Sequence, residues 1–265
     1  MSSPFDVARF AAGVATLSLG RPLTLTAVTD STNDDALAAA RAGAPHGALF
    51  VTEEQRRGRG RRGNAWHAAP GEALLFSLVL RPAIPLERAS SLALVAGLAV
   101  RAAVARGLTL AGITTRAEVK WPNDVLVGDK KVAGVLVESH VRGDTLGAVV
   151  VGVGLNVGRL SLPEEVAVHA SSLLLLGATV PREELLVEIL KELDVRLRGL
   201  GSKQIPWSSL AEELRAFDAL QGKRVRVGTL EGTAVGVDAF GNLELLDAAR
   251  VTHKVTSGHV TLCPS

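Results

Sequence analysis

The sequence predicts an α+β fold followed by a small all-β barrel. Three observations carry this. Up to about Leu220, stretches with apolar residues at helical spacing alternate with short runs rich in Val, Leu and Thr. From Gln221 onward the helical spacing stops, and short strands alternate with Gly or Asp turns. The chain has 265 residues, 47% of them hydrophobic, enough for one large domain with a small appendage. The expected boundary divides residues 1–220 from 221–265.

Residues 23–28 read as a short strand. Asp30-Ser31-Thr32-Asn33 then looks like a helix start, with Ser31 or Thr32 as the cap and Asp34 and Asp35 in the first turn, where carboxylates favour the dipole. This helix should run to Arg41 and stop near Gly43 and Pro45. Residues 48–52 form another strand, residues 56–63 a loop, and residues 74–80 a buried strand. Residues 86–106 read as a helix with Gly107 as its stop. Residues 119–127 and 132–138 read as a hairpin turned at Gly128-Asp129, and residues 146–153 as a further core strand. A long helix opens at Pro181, and Ser209 with Glu212 makes a capping box for a short helix ending near Leu220. Residues 223–227, 233–237, 242–246 and 259–262 are the barrel strands.

Composition excludes several classes of function. A net charge of +2 is too small for bulk nucleic-acid binding. The single cysteine, Cys263, rules out a disulfide framework or a cysteine metal cluster within the chain and fits a reducing cytoplasm, the expected location. The six histidines lack close metal-ligand spacing, so no transition-metal site is expected. The first residues lack the layout of a signal peptide. The longest apolar stretch, residues 92–104, is interrupted by Arg101, so no membrane span is expected.

Three motifs carry chemistry. Arg56-Arg57-Gly58-Arg59-Gly60-Arg61-Arg62-Gly63 puts five arginines and three glycines in eight residues. Ordering these residues costs roughly 1–2 kcal/mol of backbone entropy each, and nothing apolar offsets it. Such a loop should be mobile alone and order around an anion, because guanidinium forks match phosphate and carboxylate. A solvated basic loop or an RNA contact has the same composition. Lys120-Trp121-Pro122-Asn123-Asp124 reads as a tight turn between strands. Lys120 and Lys131 lie on opposite arms of the hairpin, and cross-strand pairing brings them to one face, where ATP phosphate would be their anionic partner. Gly152-Val153-Gly154-Leu155-Asn156 closes a strand with glycines that permit close backbone approach to a ligand; as a dinucleotide fingerprint it lacks the third glycine.

The order of these motifs, from Ser31-Thr32-Asn33 through Gln55 to Gly63 with Trp66, Lys120 to Asp124, Lys131 to Gly134 and Gly152 to Asn156, resembles the biotin–protein ligase family. The tail from Gln221 looks like that family's SH3-like C-terminal domain. The resemblance implies a mixed sheet flanked by helices, related to class II aminoacyl-tRNA synthetases. It implies that biotin and ATP with Mg²⁺ are substrates, with no tightly bound cofactor. Biotinyl-5′-AMP forms first, and an acceptor lysine, expected on a biotin carboxyl carrier domain, then takes the biotin. Carried over by position, Ser31, Thr32, Asn33, Gln55, Arg59, Gly60, Arg61 and Lys131 would meet biotin, with Lys131 and Arg61 catalytic. Arg59, Arg61, Trp66, Lys120, Asn123, Asp124 and Asn156 would line the nucleotide region, with magnesium near Asp124. The family often has Asn in the segment after Trp66, where this chain reads Pro70-Gly71-Glu72-Ala73-Leu74. About 20 residues precede the first strand, too few for the helix-turn-helix of members that double as repressors, so an enzyme without specific DNA binding is expected. A sheet edge at residues 131–141 or 146–153 is where a second copy could pair. The rival readings are a lipoate–protein ligase and, in another class, a nucleic-acid-binding module. The latter would want interleaved aromatics, which are 3% of the chain.

Overall fold

The computed structural model describes residues 4–82, 84–142, 145–200 and 207–263. Seven strands form the larger sheet: β1 (Leu23–Thr29), β2 (Leu49–Gln55), β3 (Ala73–Leu80), β4 (Ala117–Lys120), β5 (Asp124–Val127), β6 (Lys130–Arg142) and β7 (Thr145–Asn156). Their spatial order is β1-β2-β3-β7-β6-β5-β4. β1 and β2 are parallel and the other neighbours antiparallel, so the sheet is mixed.

Strand periodicity assigns the two faces. Leu74, Phe76, Leu78 and Leu80 of β3 join Val149, Val151, Val153 and Leu155 of β7 in the main core. That face is covered by α3 (Leu92–Leu110) and α5 (Arg182–Leu200), with α1 (Val7–Gly13) against α5. The opposite face takes α2 (Thr32–Arg41), whose Ala36 and Ala40 pack on Ala48, Val79, Ala148 and Val150. Alternation puts Ser77, Gly152 and Gly154 on this second face, just beyond the α2 contact. The short helix α4 (Glu164–Ala167) buries no residue, whereas α6 (Trp207–Ala216) packs against α3 and the smaller sheet and adds Leu210 and Leu214 to the main core.

A second, five-stranded antiparallel sheet contains β8 (Arg224–Val227), β9 (Leu230–Val237), β10 (Leu243–Leu246), β11 (Thr252–Val255) and β12 (Val260–Leu262), in the order β11-β10-β9-β8-β12. This is the antiparallel arrangement expected of an SH3-like unit. Its Val225, Val227, Ala234, Leu243, Leu245 and Val260 continue the main core without a break. Trp121, buried, donates its Nε1–H to the Gly241 carbonyl at 2.9 Å and so ties the two sheets together.

Several elements differ from the sequence reading, each for a local reason. Residues 119–127 are two strands, because Pro122 has no N–H to continue a ladder. Residues 86–91 form a 3-10 turn before α3; there the Ser91 hydroxyl donates to the Arg88 carbonyl at 2.7 Å and competes with regular helix bonding. α3 runs past Gly107, where a Cβ would meet Val180 at 3.0 Å, and stops before Gly112 at φ +73°. Gly107 is therefore a packing glycine. α6 begins at Trp207, so Ser209 sits inside its first turn; the Ser209 side chain lies outside the described residues. β7 is flanked by β6 along its length and by β3 from Val149 on, so residues 149–153 are no sheet edge. β6 pairs with β5 only as far as Gly134, and among the described residues no strand covers its outer half on that side. α3 is long and apolar enough to span a membrane by length and composition, but it is a core helix, mostly buried.

Candidate active site

A cleft of about 270 Å³ opens on the α2 face of the sheet, between the 56–66 loop, the turn before β5 and residues 258–260 of the smaller sheet. Its floor is a strip of glycines. Gly134 lies opposite Gly154 on adjacent strands, and Gly152 lies opposite Ser77. A Cβ on Gly152 would stand 1.9 Å from Asn33 Oδ1, and one on Gly154 2.4 Å from Trp66 Cε2. Both would collide, so glycine is what allows α2 and Trp66 to rest on the strand backbone.

One end of the strip is polar, and the charge that lines it there, Arg59, is paired with Asp34 and Glu138. Ser31, Thr32 and Asn33 are buried at the start of α2. Ser31 is the N-cap residue but makes no side-chain cap bond; instead Gln55 Oε1 accepts from the Thr32 N–H at 2.8 Å and from the Thr32 hydroxyl at 3.1 Å. The orphan donor of the first turn is thus satisfied from a neighbouring strand. The Ser77 hydroxyl donates to Asn33 Oδ1 at 2.6 Å and lies 2.8 Å from Thr32 Oγ1. Asn33 Nδ2 donates to Glu138 Oε2 at 2.7 Å. Both ends of the Asn33 amide are therefore committed inside the protein.

The other end is cationic. Lys131 Nζ lies 2.7 Å from Asp124 Oδ1 and 5.6 Å from the centroid of Trp66. Expected to await a phosphate, Lys131 already has a carboxylate partner. Arg61 is half-buried; desolvation and then Arg62 pull its pKa down, and Asp124 opposes them. Lys120 lines the same end. Trp66 Nε1 is buried with no hydrogen-bond partner. Asn123 donates its side-chain amide to the Val135 carbonyl at 2.8 Å, which locks the turn onto β6. Asn156 does not line the cleft: its amide donates to the Ser171 carbonyl at 3.0 Å and pins the end of β7.

The arginine loop has more internal support than its composition suggests. The Arg56 and Arg57 N–H groups donate to the Thr29 and Asp30 carbonyls, and Trp66 N–H to the Gly58 carbonyl. Residues 61–63 form a 3-10 turn. Arg57 pairs with Asp30, whose carboxyl this hydrogen bond holds below the usual range. Arg59 bonds to both oxygens of Glu138, at 3.2 and 2.9 Å, and pairs with Asp34. Three acidic side chains thus offset part of the mutual repulsion.

Several residues of the site were missed from the sequence. Ser77 had a signal, one hydroxyl in the otherwise apolar run of β3. Glu138 had none, since an acid on a strand reads as solvated. Gly258 and His259 reach the cleft only because the smaller sheet folds back on the larger. Among the described residues no three His, Cys, Asp or Glu side chains cluster as a metal cage. A single carboxylate at the cationic end does suit Mg²⁺ carried by a nucleotide, since that ion takes one or two carboxylates and completes its shell with phosphate and water.

Residues 25–156 match the model of the Biotin/lipoate A/B protein ligase family, and residues 221–262 match that of the Biotin protein ligase C terminal domain. The chain is 37% identical over 252 residues to the biotin–[acetyl-CoA-carboxylase] ligase of Mycobacterium tuberculosis, covering 91% of this chain and 88% of that one. It is 33% identical over 262 residues to the bifunctional ligase/repressor BirA of Bacillus subtilis, covering 94% of this chain and 77% of that protein. Among solved structures it is similar to the biotin protein ligase from Aquifex aeolicus in complex with biotin and ATP, with a TM-score of 0.76, 28% identity and coverage of 93% and 100%.

Proposed function

Because the chain belongs to the biotin/lipoate A/B protein ligase family, we propose that it is an enzyme that activates biotin with ATP and transfers it to a lysine of an acceptor protein. The observation that carries this reading is the polarity of the cleft along its glycine strip. Gly152 at the end whose charge is internally paired and Gly154 at the cationic end are two residues apart on one strand, roughly 7 Å. A molecule with a neutral polar head, an apolar middle and a carboxylate tail fits that sequence of environments.

In this reading Ser31, Thr32, Gln55 and Gly60 face the ureido head, which needs both donors and acceptors. Asn33 acts by holding the start of α2, and Arg59 by holding the loop. Lys131 steadies the carboxylate as one of its oxygens attacks the α-phosphorus of ATP and pyrophosphate leaves. Lys131 and Arg61 then face the mixed anhydride, where their charge offsets that on the phosphoryl oxygens. Lys120 and Asp124 serve the nucleotide, with Asn123 shaping their turn, and Mg²⁺ bound with ATP would lower the charge of its phosphates. Trp66 covers the activated ligand from the loop side and excludes water. In the second step the acceptor's amine attacks the acyl carbon and AMP departs. Asn156 is left out of this set, because its amide is spent on the Ser171 carbonyl.

The acceptor we propose is a biotin carboxyl carrier domain of a carboxylase, and the compartment the cytoplasm. The outer half of β6 is the edge we propose for pairing with a second copy. The matched family model also includes lipoate ligases. Pyrophosphate–ATP exchange tests the choice: exchange should depend on biotin and be absent with lipoate. Exchange that responds only to lipoate would overturn the reading.

A further inference from the structure

We propose that Asp124 is an internal carboxylate that occupies Lys131 until the carboxylate of the acid substrate displaces it. The proposal rests on reading the cleft as the site of biotin activation. Five of the described side chains lining the cleft are cationic: Arg59, Arg61, Arg62, Lys120 and Lys131. One is anionic, Asp124. Arg59 has its partners, Asp34 and Glu138, outside the lining. The Lys131 pair, in contrast, lies inside the cavity.

The position of the pair matters. Lys131 Nζ stands 3.1 Å from where a Cβ on Gly134 would be, so the ammonium rests on the glycine floor. A ligand lying along the strip ends there. Asp124 cannot withdraw easily, because its backbone is fixed from both sides: it pairs with Lys120 on β4 and with Gly134 on β6. Its charge also bears on Arg61. Lys131 and Asp124 are 36% and 26% exposed, so the pair is partly screened by water and open to exchange.

A substrate carboxylate must therefore trade one ion pair for another, and it gains only the difference. The freed Asp124 charge also opposes the incoming one. An uncharged analogue meets neither effect. The same competition applies to any small anion, such as inorganic phosphate, which lacks a head group to bind the polar end. Asp124 thus makes the cationic end answer to ligands that fill the whole strip.

The test is calorimetric titration of the full chain, without nucleotide, using biotin and its carboxamide on wild type, Asp124→Asn and Asp124→Glu. Asp124→Asn should bind biotin about 2- to 5-fold more tightly, the range for an ion pair of this exposure. Its affinity for the carboxamide should stay the same. Asp124→Glu, which keeps the charge, should keep the wild-type ratio of the two affinities. Phosphate should compete with biotin more strongly in Asp124→Asn than in wild type. An unmoved acid-to-amide ratio in Asp124→Asn, whether both affinities rise, fall or hold, would overturn this proposal alone. A wild-type chain that binds neither compound would overturn the reading of the cleft and this proposal with it.

Discussion

A methyl group added at Gly154 has nowhere to go while Trp66 stays in place, since its carbon would lie 2.4 Å from the indole. The sheet backbone cannot yield, but the loop carrying Trp66 can. Gly154→Ala should therefore spare most of the fold, at a cost of about 1–3 kcal/mol, and expel the indole from the cleft. The expected outcome is a red-shifted tryptophan emission and loss of biotin-dependent pyrophosphate exchange; an unchanged spectrum with full exchange would show that Trp66 does not cover the ligand. Lys131→Met keeps the length of the side chain and removes its charge. Losing one charge-assisted contact costs about 1.5–3 kcal/mol, so adenylate formation should slow by roughly one to two decades in single-turnover assays. The glycines were legible as close-approach positions in the sequence, and the hydroxyls of Ser31 and Thr32 as polar groups at a helix start. What was not legible was commitment: that Asn33 bonds Ser77 and Glu138, that Asn156 bonds Ser171, and that Lys131 bonds Asp124. Such pairings join residues from separate elements, and no local spacing encodes them.

The arginine loop behaves as an element whose charge is balanced from outside. Glu138 holds Arg59 with both oxygens, and Asn33 shares the same carboxylate. Glu138→Ala should release the loop, and trypsin should then cut within residues 56–63 faster than in wild type before any ligand is added. Equal cleavage of the two proteins would remove Glu138 from that role. Arg61 lines the cleft and makes no ion pair with the described residues; in the proposed reading its charge faces the mixed anhydride. Arg61→Gly should leave adenylate formation within about one decade of wild type, because Lys131 still stabilises the charge at phosphorus. It should raise ATP consumption without acceptor, because the intermediate escapes. At this scale the central helices and most strands of the larger sheet were readable from periodicity. The elements that were missed gave a short or weak pattern: β11 alternates exposed and half-buried residues at a sheet edge, and α1 is seven residues with Phe10 alone buried, capped by Asp6, which accepts from Arg9 N–H at 2.9 Å.

The molecule as a whole depends on the joint between its two sheets, where Asp218 is buried. Its Oδ1 accepts from Leu220 N–H at 2.9 Å, while its Oδ2 has no partner. Burial pushes this carboxyl up to about 6, helped by Glu118 and opposed by the Leu220 bond and Lys223. An acid raised in the folded state costs stability when ionised. The cost builds as pH rises from about 4 to 6 and is fully present above that, at most roughly 3 kcal/mol. Asp218→Asn keeps an acceptor for Leu220 and cannot ionise. Its melting temperature should lose the part of the pH dependence that falls between pH 4 and 6, and should exceed that of wild type at pH 8; parallel curves for the two proteins would refute the assignment. The contacts across this joint also explain why the smaller sheet contributes Gly258 and His259 to a cleft built on the larger one. The central claim concerns what that cleft makes. Mixing the full chain with biotin and MgATP in the absence of acceptor, followed by mass spectrometry under native conditions, measures it directly. The expected result is about one equivalent of biotinyl-5′-AMP retained per chain, with pyrophosphate released in step. Nucleotide turnover that proceeds equally without biotin, or a chain that retains no adenylate, would contradict it.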